Sequence, residues 1–147
     1  METQLTTTEI NNARQLLQDY SPAEEALATL EKHHGKLDVS FDELWAEAQG
    51  LQLEQFGDKK SLWQVTLKVM RQEVCGNEGF RSKILDYNKN PGSTSLLTGA
   101  IIYLVQLTTL PINPAIATVV VLYILKVGLD IFCEYTEPAQ DSNSSAK

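Results

Sequence analysis

His33 and His34 stand side by side between Lys32 and Gly35, and imidazole is the commonest side-chain metal ligand. A metal centre needs further ligands at defined spacing, and none lies near them in the sequence. The pair reads instead as the end of a helix, where the backbone dipole favours positive charge. Glu24, Glu25, Glu31 and Glu47 have the chemistry for general acid–base work. No spacing selects one pair of them above another, so they read as solvated faces. Cys75 and Cys133 could each supply a thiolate, yet neither has a histidine partner implied by the sequence, and their separation is not that of metal ligands. Both are expected to be free, buried, small hydrophobes. The stretch from Cys75 to Gly79 lacks the Lys-Ser/Thr of a phosphate-binding loop and marks a helix end followed by a helix start. No catalytic residue, cofactor or metal is expected, and the sequence points away from an enzyme.

The last chemically suggestive pair is Lys126 and Asp130, four residues apart in a chain that is otherwise uncharged from Asn90 to Leu125. At that spacing on a helix the two can pair with each other, which lowers the cost of burying either. They belong to the second of two apolar runs, Ser95 to Leu110 and Ala115 to Phe132, divided by Leu110-Pro111-Ile112-Asn113-Pro114. As helices the runs rise roughly 24 and 27 Å, near the roughly 30 Å of a bilayer's hydrocarbon core. Asn113 before Pro114 has the form of an N-cap followed by proline at the first helical position. The β-branched Thr118, Val119, Val120 and Val121 argue for a strand, but the run is longer than most strands. Helices over 96–110 and 115–133, packed antiparallel, are expected. Around each wheel a weak polar stripe appears: Thr98 and Gln106 on the first helix, Thr118, Lys126 and Asp130 on the second.

Upstream, helix punctuation is frequent. Thr6 to Glu9, Ser21 to Glu24 and Ser40 to Glu43 each have the form of a capping box, predicting helices that begin near residues 7, 22 and 41. Asp58 can cap a fourth helix ending at Gly76, with Trp63, Leu67, Met70 and Val74 on one face, and Asn77 a fifth with Phe80, Ile84 and Tyr87 inward. Trp45, Trp63, Leu67, Phe80, Leu17 and Leu27 are expected to share a core. No segment alternates like a half-buried strand. The expected architecture is all-α: a bundle of about five amphipathic helices in residues 1–90, an antiparallel hydrophobic helical hairpin in 91–137, and a disordered polar tail in 138–147.

The net charge is −7, unevenly placed: residues 1–57 carry −8, residues 58–90 carry +3 and residues 91–147 carry −2. An acidic first third argues against nucleic acid as partner. The basic residues Lys59, Lys60, Lys68, Arg71, Arg81, Lys83 and Lys89 precede the apolar runs, as expected of a cytoplasmic flank. The start of the chain lacks the character of an export signal, and with two cysteines this suggests a reducing compartment. The leading expectation is a non-enzymatic adaptor or effector on the cytoplasmic side of a membrane. It would bind a protein partner and lipid through the hairpin, which can self-associate with its polar stripe inward. The alternative is a soluble all-α interaction module in which the hairpin is the buried core.

Overall fold

A computed structural model describes residues 4–48 and 62–135. Among these the chain is all-helical, with no strand. The helices are α1 (Thr7–Leu16), α2 (Pro22–Lys32), α3 (Leu37–Ala48), α4 (Leu62–Val74), α5 (Glu78–Lys89), α6 (Thr94–Leu107), α7 (Pro114–Val127) and α8 (Leu129–Tyr135).

α7 is the element the others surround. Every residue from Ala115 to Ile124 is buried, and α2, α3, α6 and α8 pack against it. This explains why a β-branched run folds as a helix. The helix penalty of valine or threonine is at most about 0.7 kcal/mol per residue, whereas burying a valine side chain contributes roughly 1.5–3 kcal/mol. Thr118 is fully buried, and its hydroxyl is satisfied by donating to the Pro114 carbonyl at 2.7 Å, the back-bond open to a threonine inside a helix. A single cluster of buried side chains runs from Leu5 through Phe80 and Ile101 to Phe132. Within it the rings of Trp45, Phe41, Trp63, Tyr123 and Phe132 form a chain, successive centroids 5.0–6.0 Å apart, joining α3, α4, α7 and α8. Trp45 is only partly buried, while Trp63, Leu67, Phe80, Leu17 and Leu27 lie in the core as expected.

Helix starts follow the caps in part. The Thr6 box forms with both reciprocal bonds. Asn77 accepts from the Phe80 amide at 2.8 Å and Asn113 from the Ile116 amide at 2.8 Å. The Ser21 box does not form: its side chain caps nothing, and Pro22 alone marks the start. The Ser40 box is also overturned, because α3 begins earlier, at Leu37. Ser40 is buried inside the helix and its hydroxyl donates to the Thr29 carbonyl at 3.4 Å. The earlier start comes from a tight turn in which His34 (φ 59°) and Gly35 (φ 85°) are left-handed. A side chain at Gly35 would collide with the Leu5 carbonyl, and the Leu5 amide donates to the Gly35 carbonyl at 2.8 Å. The Asp58 cap lies outside the described residues.

The second apolar run is not one helix over 115–133. Gly128, at φ 94°, ends α7, and α8 starts one residue later. α6 and α7 have 14 residues each and rise about 21 Å. Among the described residues no helix is long and apolar enough to cross a membrane.

Candidate interaction surfaces

The polar residues of the apolar runs do not form one stripe. Gln106 is exposed, Thr98 half-buried and Thr118 buried. Lys126 and Asp130 do not pair with each other, because Gly128 breaks the helix that would have stacked them. Lys126 reaches α1 instead, its Nζ 2.8 Å from Glu9 Oε1. Asp130 meets Arg81 of α5 at 3.3 Å.

Carboxylates thus tie the apolar helices to the outer ones. Glu9 Oε1 accepts from Lys126 and also from the Thr6 amide at 2.8 Å. Burial raises the Glu9 pKa, but these partners outweigh it and hold the carboxyl below its ordinary range. With side chains 16% and 41% exposed, the Lys126–Glu9 pair is screened by water. Lys126→Leu is expected to change stability by less than about 1 kcal/mol, measured by denaturant unfolding; a loss of several kcal/mol would show the ion pair to be a structural centre.

Glu73 of α4 does the same for the connection between α6 and α7. It accepts from the hydroxyls of Thr108 and Thr109 and from the Thr109 amide. Burial raises its pKa, yet the three donors together hold it below the ordinary 4.5. A carboxyl with a depressed folded-state pKa contributes stability that is fully present above its unfolded value and lost as pH falls through its folded one. Glu73→Ala is expected to cost about 1–3 kcal/mol at neutral pH, and the deficit should shrink as the parent is acidified below 4.5. Denaturant unfolding of both proteins across the acid range checks this; a deficit independent of pH would mean the carboxylate charge is not involved.

α2 and α3 are joined through Glu43. Its two oxygens lie 2.6 Å from His33 Nε2 and 2.9 Å from Lys32 Nζ. Burial pushes the Glu43 carboxyl up, and those two partners bring it below its ordinary value. Nearby, burial raises the Glu47 pKa, and hydrogen bonding with Glu25 together with the Glu43 charge raises it further. Glu24 and Glu31 both bind Arg14, at 2.7 and 3.0 Å. His33 is therefore a bridging side chain, and among the described residues no cluster suited to a metal ion forms.

Among the described residues the basic flank is divided between α4 and α5. Lys59 and Lys60 lie outside the described residues. Lys68 and Lys89 are exposed and Arg71 half-buried. Lys83 Nζ stands 5.3 Å over the Tyr103 ring, whose hydroxyl donates to Asn77 Oδ1 at 3.0 Å. Arg81 Nη2 donates to the Cys75 carbonyl at 3.2 Å.

Cys75 and Cys133 are joined in a disulfide, with Cα atoms 5.8 Å apart. The expectation of free thiols is overturned, and with it the compartment argument that rested on them. The cysteines meet because the chain leaves α4, runs through α5, α6 and α7, and returns in α8 beside its point of departure.

Among the described residues, the large apolar side chains Val65, Leu85, Ile102 and Ile131 are exposed. A groove of about 190 Å³ is lined by Ala13, Leu16, Leu97, Leu122 and Leu125, with the Glu9–Lys126 pair also on its wall. Small-molecule pockets usually have about 300–1,000 Å³, so this groove suits a single side chain better than a substrate. No family model matches the chain, and no curated protein or solved structure is significantly similar to it.

Proposed function

We propose that this protein is a non-enzymatic, all-helical protein–protein interaction module whose apolar C-terminal helices are its core. The observation that carries this reading is the enclosure of α7, buried at every position from Ala115 to Ile124 by helices on several sides. A helix that is apolar all round needs such surroundings, in a protein interior or a bilayer, and here the chain's own helices supply them. The outer helices present charge of mixed sign: Glu24, Glu25 and Glu31 on α2, and Arg81, Lys83 and Lys89 on α5. Such faces steer and orient a partner more than they add affinity. Exposed Val65, Leu85, Ile102 and Ile131 and the small groove offer apolar anchors.

The test is to purify the full chain without detergent, measure its mass in solution, and float it with liposomes of neutral and anionic phospholipid. A folded protein that stays with the aqueous fraction supports the module. Flotation of folded protein with either liposome, or a requirement for detergent, would overturn it in favour of a membrane-associated adaptor, in which α6 and α7 leave the core for lipid.

A further inference from the structure

The Cys75–Cys133 disulfide closes a loop with a sequence separation of 58, and that loop contains the whole of α5, α6 and α7. Its far end lies in α8, a helix of seven residues. Helices so short have little stability of their own, so α8 depends on what holds it to the body. Two of its side chains, Leu129 and Phe132, are buried. Its Asp130 meets Arg81 only through a side chain that is 89% exposed, a pair that water screens. At its start Gly128 occupies a left-handed conformation that glycine adopts without strain, so the connection to α7 is a natural pivot. The disulfide is the one covalent tie between α8 and the end of α4.

The crosslink is placed for exchange. Cys75 and Cys133 are only partly buried. The Arg81 guanidinium spans the two sides, donating to the Cys75 carbonyl at 3.2 Å and to Asp130 at 3.3 Å. Those bonds hold the guanidinium at the Cys75 main chain, and a positive charge near a sulfur favours the thiolate that must leave when a disulfide is attacked.

We propose that the Cys75–Cys133 disulfide is a redox-sensitive latch that holds α8 over one end of the aromatic core, and that a dithiol reductant opens it. One thiolate of the reductant attacks one sulfur, breaks the S–S bond and forms a mixed disulfide while the other cysteine leaves as a thiolate and takes up a proton. The reductant's second thiol then displaces the remaining cysteine. The dithiol ends as a cyclic disulfide, and Cys75 and Cys133 end as two thiols. Once unlatched, α8 swings about Gly128 and uncovers Phe132, whose ring lies 6.0 Å from that of Tyr123. The latch stands independently of whether the protein serves as an interaction module.

The experiment is hydrogen exchange of the full chain, oxidised and after reduction with dithiothreitol. Reduction is expected to speed exchange of the α8 amides by about 100-fold or more while α2 and α7 keep their protection, the pattern of local rather than global opening. The double variant Cys75→Ser/Cys133→Ser should exchange fast in α8 with or without reductant; if it fails to fold, the reduced and alkylated parent takes its place. Arg81→Gln should slow reduction about 3-fold or more, as expected when a cation no longer assists the leaving thiolate. Unchanged α8 protection in the reduced chain, equal loss of protection in every helix, free thiols in the air-oxidised protein, or reduction of Arg81→Gln at the parental rate would each overturn the proposal.

Discussion

Trp63→Ala is expected to lower the unfolding free energy by about 3–5 kcal/mol, the range for deleting a buried aromatic side chain. Trp63 is only 4% exposed. Its ring meets Phe41 of α3 at 5.3 Å and Tyr123 of α7 at 5.0 Å, edge to face in both cases. Each such pair contributes about 0.5–1.5 kcal/mol beyond the area it buries. The space left by truncation would be walled by rings fixed on two separate helices, so it cannot close by a small local shift, which puts the effect towards the upper end of the range. For a chain of this size about 2–4 °C of melting temperature accompanies each kcal/mol, so a drop of roughly 6–20 °C should appear in calorimetry. A Trp63→Ala protein that melts with the parent would remove Trp63 from the core and make it a candidate contact for a partner.

Helix type and the main apolar faces are legible in the sequence because both are local. Thr6 with Glu9, Asn77 with Phe80, and Asn113 with Pro114 are short-range arrangements, and each forms as its spacing predicts. Ser40 shows the limit of the same rule. The turn made by His34 and Gly35 starts α3 before Ser40 is reached, and Glu43, which a box would send back to Ser40, turns to Lys32 and His33. Gly128 carried a readable signal, since a glycine inside an apolar helical pattern is a natural C-cap. Taking the run as one helix stacked Lys126 on Asp130, whereas the true partner of Lys126 is 117 residues away. Glu73 with Thr108 and Thr109, and Cys75 with Cys133, are likewise pairs that only the tertiary path brings together. No periodicity encodes such partners. The enclosure of α7 is not legible in the sequence for a related reason: an apolar surface has the same pattern whether lipid or other helices cover it.

The substitution that bears hardest on that last point is Val120→Asp. Val120 is fully buried near the middle of α7. A carboxyl there without a partner costs about 1–3 kcal/mol for its unsatisfied polar atoms even when neutral, and far more when ionised, so its folded-state pKa must rise. Below about pH 3.9, the unfolded aspartate value, the group is protonated in both states and no charge penalty applies. Above that pH the unfolded chain ionises first. Stability then falls by about 1.4 kcal/mol per pH unit until the folded-state group ionises or the chain unfolds. By neutral pH the combined loss exceeds roughly 5 kcal/mol, the low end of the stability of ordinary domains, and the variant should be unfolded in buffer. Val120→Asn has nearly the same shape and cannot ionise, so the stability difference between the two variants isolates the charge. That difference should vanish near pH 3–4 and widen steadily above it, read by circular dichroism during denaturant titration. A Val120→Asp chain that is folded at neutral pH with parental stability would mean that α7 is not enclosed by its own chain in water, and the interaction module would give way to a protein that keeps this helix for a membrane.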